Sequence, residues 1–145
     1  MTLSMNEPTL PPDIAAMPSD NTLLADLGRV AWAAARLHAA VRDAINTHVG
    51  AASDAPFEKT LGGAIADLEK LATAAGRADQ VDWVVNTGRP ASRKRNAVIH
   101  AVTYTANDGK QALGTVDHSD PGRFLAPELQ DVTRALIDAS RALPK

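Results

Sequence analysis

Residues 21–49 read NTLLADLGRVAWAAARLHAAVRDAINTHV, and Leu23, Leu27, Val30, Ala34, Leu37, Val41, Ile45 and His48 recur along them at steps of three and four. That spacing puts one side chain per turn on a single stripe and predicts a long amphipathic helix. Asp20 or Asn21 suits its start as a cap, and Gly50 suits its end. A helix of this length needs partners for its apolar stripe, so the rest of the chain is read for them.

A second stripe, Leu61, Ile65, Leu68 and Ala72, predicts a helix beginning between Pro56 and Thr60 and stopped by Gly76, after a loop of small residues from Val49 to Ala55. Gly62 and Gly63 weaken its first turn and leave room for close helix contact. Ala78 to Asn86 reads as a short third helix with Val81, Trp83, Val84 and Val85 as its apolar surface. Thr87-Gly88-Arg89-Pro90 reads as a break, and Pro90 suits the first position of a fourth helix over residues 91–102. Val102 to Thr105 and Leu113 to Val116 are β-prone, and Asn107-Asp108-Gly109 between them makes a turn, which predicts a hairpin. Asp117 to Gly122 is loop. Pro127 and Glu128 open a last helix with the stripe Leu129, Val132, Leu136, Ala139 and Leu143, ended by Pro144.

The predicted fold is therefore all-α: an antiparallel bundle of four to five helices, with a small β-hairpin before the last. Residues 1–20 carry Pro8, Pro11, Pro12 and Pro18 without an apolar period and read as a disordered tail, which leaves residues 21–145 as the domain.

The chain of 145 residues is 45% hydrophobic and 22% charged, the balance of an ordinary globular domain. It has no cysteine, which excludes disulfides, thiolate metal sites and a cysteine nucleophile. No apolar run reaches the roughly 18 residues that span a bilayer, and the N-terminus has no basic start followed by an apolar core. The expectation is a cytoplasmic protein that makes no use of a membrane. Net charge is −2, yet residues 87–125 hold six basic side chains (Arg89, Arg93, Lys94, Arg95, Lys110, Arg123) against three acids (Asp108, Asp117, Asp120), a difference of +3. A local excess of this kind marks either a solvated face or a surface for polyanions.

Phosphate-binding glycine loops, a G-x-S-x-G nucleophile and H-E-x-x-H spacing are all missing, so no cofactor and no metal are predicted. Of the four histidines, His38 and His48 stand ten apart on the first helix, too far to share a ligand site there. His48 falls on the apolar stripe and reads as a hydrogen-bonded structural residue. His118 lies in a loop beside Asp117 and Asp120, where a metal pair is conceivable and a surface loop is the better reading.

His100 has more useful neighbours. Arg93, Asn96 and His100 stand at steps of three and four and share a helix face. Arg95, five residues before His100, falls about 140° away from it around an α-helix. Either Arg95 reaches around the helix or it acts across an interface with a second copy. These side chains suit phosphodiester chemistry: histidine exchanges protons near neutral pH, guanidinium binds phosphate oxygens, and asparagine can hold the imidazole or a 2′-hydroxyl in place. With no metal ligands in view, the RNA 2′-hydroxyl is the obvious nucleophile, leaving a 2′,3′-cyclic phosphate and a 5′-hydroxyl. The plainer reading is that His100 packs beside the hairpin with Asn96 as its partner.

Arg95-Asn96-Ala97-Val98-Ile99-His100 resembles the R-N-x-x-x-H form of the HEPN-domain signature, and the order of elements over residues 22–143 is similar to that of small bacterial HEPN-like proteins. The resemblance implies an α-helical homodimer joined through its motif helices, with Arg and His from two protomers cutting RNA without metal. It implies Arg95, Asn96 and His100 as catalytic residues, Arg95 binding phosphate, Asn96 orienting and His100 serving as acid or base. Arg89, Arg93, Lys94, Tyr104 and Lys110 are the candidate RNA contacts beside them. The corresponding roles are toxin, with an antitoxin protein as partner, or phage-defence component. The alternative is a catalytically inactive HEPN-like module that binds RNA or a protein. HEPN toxins often carry a tyrosine two residues after the histidine. Val102 stands there instead, and Tyr104 follows two later. Only five aromatic residues are present, which favours phosphate contacts over serial base stacking.

Overall fold

The computed structural model describes residues 9–17, 21–52, 57–105, 109, 111–114 and 123–145. It is a mostly helical bundle with a small antiparallel sheet before the final helix. Helix α1 (Pro12–Ala15) is a single turn, opened by Pro11 and Pro12, with no buried residue. Part of the segment expected to be disordered is thus helical, and the rest of the 1–20 tail lies outside the described residues. Helix α2 (Asn21–Val49) follows the predicted stripe and ends where Gly50 takes φ +71°, a conformation that side chains with a Cβ rarely adopt.

Helix α3 (Leu61–Ala74) begins one residue after Thr60, whose hydroxyl accepts a hydrogen bond from the Gly63 N–H at 3.1 Å. Gly76 closes it with φ +69°. Gly62 and Gly63 are exposed and do not mediate the close helix contact that was expected of them. A Cβ at Gly62 would meet nothing, and one at Gly63 would meet only the Thr60 hydroxyl.

The expected break at Thr87–Pro90 is not there. Helix α4 (Ala78–Trp83) runs through a π turn (Val84–Gly88) directly into α5 (Arg89–Ile99). Pro90 has no N–H, and its ring would crowd the carbonyl four residues back in a regular α-helix. The Arg89 N–H instead bonds five residues back to the Val84 carbonyl, and the widened turn carries the helix past the proline. Trp83 sits under this turn, buried, and its indole N–H donates to the Ala139 carbonyl at 3.0 Å. Helix α5 ends at Ile99 rather than near Val102, because Val102–Thr105 is already strand β1.

Strand β1 pairs antiparallel with β2 (Gln111–Gly114), with Val102 opposite Gly114. The second strand starts two residues earlier than its sequence suggests. It then pairs with a strand that was not anticipated, β3 (Arg123–Phe124), giving the order β1-β2-β3. A two-residue strand inside a loop-like sequence has no period to betray it. Helix α6 (Ala126–Ala142) closes the fold and packs most extensively on α2. Leu37 and Val41 from α2, Ile65 and Leu68 from α3, and Leu129 and Leu136 from α6 are fully buried together, as the stripes predict. Among the described residues no helix is long and apolar enough to cross a membrane.

A Cβ placed on Gly88 would lie 2.6 Å from the buried Trp83 ring, which has no room to retreat. We expect Gly88→Ala to destabilise the fold by about 1–3 kcal/mol through overpacking. Gly62→Ala, in open space, should leave the thermal midpoint unchanged or slightly raised. Equal melting curves for the two variants would show that the Trp83–Gly88 contact does not constrain the fold.

Candidate functional site

Helix α5 carries Arg89, Arg93, Lys94 and Arg95 and no acidic residue. Its inner face is set by Ala91, Ser92 and Val98, all buried, and this decides which way each basic side chain leaves the helix. Arg93 and Lys94 are exposed, with no ion pair among the described residues.

Arg89 is placed differently. Its guanidinium grips Glu69 of α3 with two parallel bonds, Nη1 to Oε2 at 2.6 Å and Nη2 to Oε1 at 3.1 Å. The geometry is that of a bidentate strap between helices, and it commits one N–H of each terminal nitrogen to Glu69. Tyr104 is half-buried on β1, opposite Ala112. Lys110 lies outside the described residues, as does His118 with the loop that holds Asp117 and Asp120.

His100 follows the last residue of α5, at φ −90° and ψ 4°, and its N–H still bonds the Asn96 carbonyl at 2.9 Å. The turn therefore continues through His100 and keeps it on the side of Asn96. Its imidazole is exposed. Val98, by contrast, belongs to the core, and Ile99 beside it is 55% exposed.

Arg95 turns the other way. Its Nη1 donates to the Asn96 Oδ1 at 3.0 Å, and the side chain lines a cleft of about 350 Å³ between α2 and α5. The histidine that shares this cleft is His38 of α2, not His100. His38 stands edge-on to Phe57, ring centroids 5.5 Å apart at 70°. His38 Nε2 and Arg95 Nε are both buried without a hydrogen-bond partner among the described residues. A polar group stranded in this way costs about 1–3 kcal/mol, more when charged.

Sequence reasoning set His38 aside because it looked for ligand pairs within one helix. The signal was present: His38 is four residues after Ala34 and three before Val41, at the margin of the buried stripe. His48 is the structural histidine that its position suggested, 2.6 Å from Gln80 Oε1, while Gln80 Nε2 donates to the Pro144 carbonyl. Among the described residues no three His, Asp or Glu side chains gather as a metal site.

The Asp67 carboxyl is held below the usual carboxylate range by a hydrogen bond and charge from Lys59, and Asp79 likewise by Arg77. In comparisons with protein-family models, with curated proteins and with solved structures, nothing matches the chain.

The different settings of Arg89 and Arg93 separate stability from binding. We expect Arg89→Met to lower stability by up to about 1 kcal/mol, as loss of a half-exposed ion pair does, while leaving any affinity for RNA nearly intact. Arg93→Met should do the reverse and flatten the salt dependence of binding. Paired thermal melts and salt-titrated RNA binding would expose an exchange of these roles.

Proposed function

We propose that the protein is a metal-independent endoribonuclease of HEPN type that works as a homodimer, with Arg95, Asn96 and His100 as its reacting set. The observation that carries this reading is an exposed His100 one turn from Asn96, which itself holds Arg95, on an acid-free helix with Arg93 and Lys94 outward.

In this reading the 2′-oxygen attacks the adjacent phosphorus and gives up its proton to a base. The P–O5′ bond breaks, and the leaving oxygen takes a proton from an acid. His100 serves one of these proton transfers. Arg95 stabilises charge on the non-bridging oxygens, and Asn96 orients the pair. Arg93 and Lys94 hold flanking phosphates. Because Arg95 and His100 leave α5 in different directions, the set is completed across a twofold axis, one copy giving Arg95 and the other His100. A toxin or phage-defence role, with an antitoxin as partner, belongs to the same reading.

The inward setting of Arg95 favours a second reading, a non-catalytic HEPN-like module that binds RNA or a protein through Arg93 and Lys94. The two differ in outcome. On the nuclease reading, His100→Ala slows cleavage of a labelled RNA pool by about 10²- to 10⁴-fold, and Arg95→Ala by about 10²- to 10³-fold. Cleavage survives EDTA and leaves cyclic phosphate ends. Mixing the two inactive variants restores part of the activity, because a mixed dimer has one site with both residues intact. If folded wild type cuts no RNA, or cuts no faster than His100→Ala prepared identically, the binding module takes its place.

A further inference from the structure

The cleft between α2 and α5 shares Arg95 with the reaction proposed above but neither Asn96 nor His100, and its chemistry is specific. Its walls are apolar, with Leu27, Ala31, Ala35, Leu61 and Ile99 among them. At about 350 Å³ it stands at the small end of the roughly 300–1,000 Å³ that small-molecule sites occupy. Two polar residues break the apolar lining, His38 and Arg95, and each keeps a buried nitrogen, His38 Nε2 and Arg95 Nε, without a hydrogen-bond partner among the described residues.

Arg95 Nη1 is taken by Asn96. The edge of the guanidinium formed by Nε and Nη2 is what remains, and such an edge presents two parallel donors that match the two oxygens of a carboxylate. His38, in the tautomer with hydrogen on Nε2, adds a third donor from the opposite helix. Phe57 stands against the ring and fixes its plane. A single negative charge answers these donors, and an aliphatic chain answers the walls. A doubly charged phosphate without a chain would leave the walls unused and meet too few donors.

We propose that this cleft binds a small aliphatic monocarboxylate, its oxygens held by Arg95 Nε and His38 Nε2 and its chain lying along the apolar faces of α2 and α5. The inference does not depend on nuclease activity, and its test does not use RNA.

The test is calorimetric titration of the full-length protein with octanoate, octanol and inorganic phosphate. Octanoate binds saturably at one site per chain, and octanol and phosphate each bind at least about tenfold more weakly. His38→Leu weakens octanoate about tenfold, the usual consequence of losing one hydrogen bond to a charged group. Ala31→Leu, at an exposed position on the cleft wall, weakens it as much by filling the space, with helical circular dichroism unchanged. This second variant serves if His38→Leu fails to fold. Absence of saturable octanoate binding overturns the proposal. So does octanol or phosphate binding as tightly as octanoate, or unchanged affinity in a folded variant.

Discussion

The packing of Trp83 against Gly88 governs the direction of everything that follows in the helix. The ring occupies the space a Cβ at position 88 would need, and its indole N–H is tied to the backbone of α6. At that point the helix widens into one π turn. A π turn inserts one residue, which rotates all later side chains by about 100° relative to a regular helix. Trp83 and Arg95 are twelve residues apart, which would put them about 120° apart on an uninterrupted α-helix. The inserted residue brings them within about 20°. Ala91 and Val98 are buried on the same side as Trp83, as this corrected phase requires.

The phase also allocates the charges. Arg95 is carried to the inner side with Trp83, into the cleft beside α2, while Arg93, Lys94 and His100 are carried outward. Arg89 stands where the π turn ends and reaches Glu69 on α3, so the first cation of the helix is used to hold the bundle together. A basic stretch that looks uniform in sequence is therefore three things: a strap, an exposed pair and a cleft residue.

The stripes of α2, α3 and α6 were legible because each has an uninterrupted period whose buried positions match its leucines, isoleucines and valines. Gly50 and Gly76 were legible as stops because only the left-handed backbone closes those helices so abruptly. The passage at Thr87–Pro90 was not legible. Glycine and proline together read as a break, and the widened turn that carries the helix past Pro90, with Trp83 packed against Gly88, leaves no mark in the spacing. Strand β3 is too short to carry a period. Of the candidate site, the motif residues and their angular separation were readable along one helix. His38 was not, because its significance depends on Arg95 of α5 facing it across a cleft, a relation between helices that spacing along one of them does not encode.

The separation of Arg95 from His100 constrains any chemistry on this helix. Within one chain a phosphate held by exposed Arg93 and Lys94 would meet His100 at the helix end, whereas Arg95 remains committed to Asn96 and to the cleft side. Rotating Arg95 outward would carry its charge away from the cleft it shares with His38. The two nitrogens without a partner among the described residues then become relevant to the motif, since whatever satisfies Arg95 Nε on the inner side opposes that rotation. Occupancy of the cleft and availability of Arg95 to an external phosphate are in this way alternatives for one guanidinium. A second copy changes the balance only if its surface offers Arg95 more than the cleft does. On the nuclease reading, the charge available to a reaction at His100 would depend on how strongly the cleft side holds Arg95, a side chain on the opposite side of the same helix.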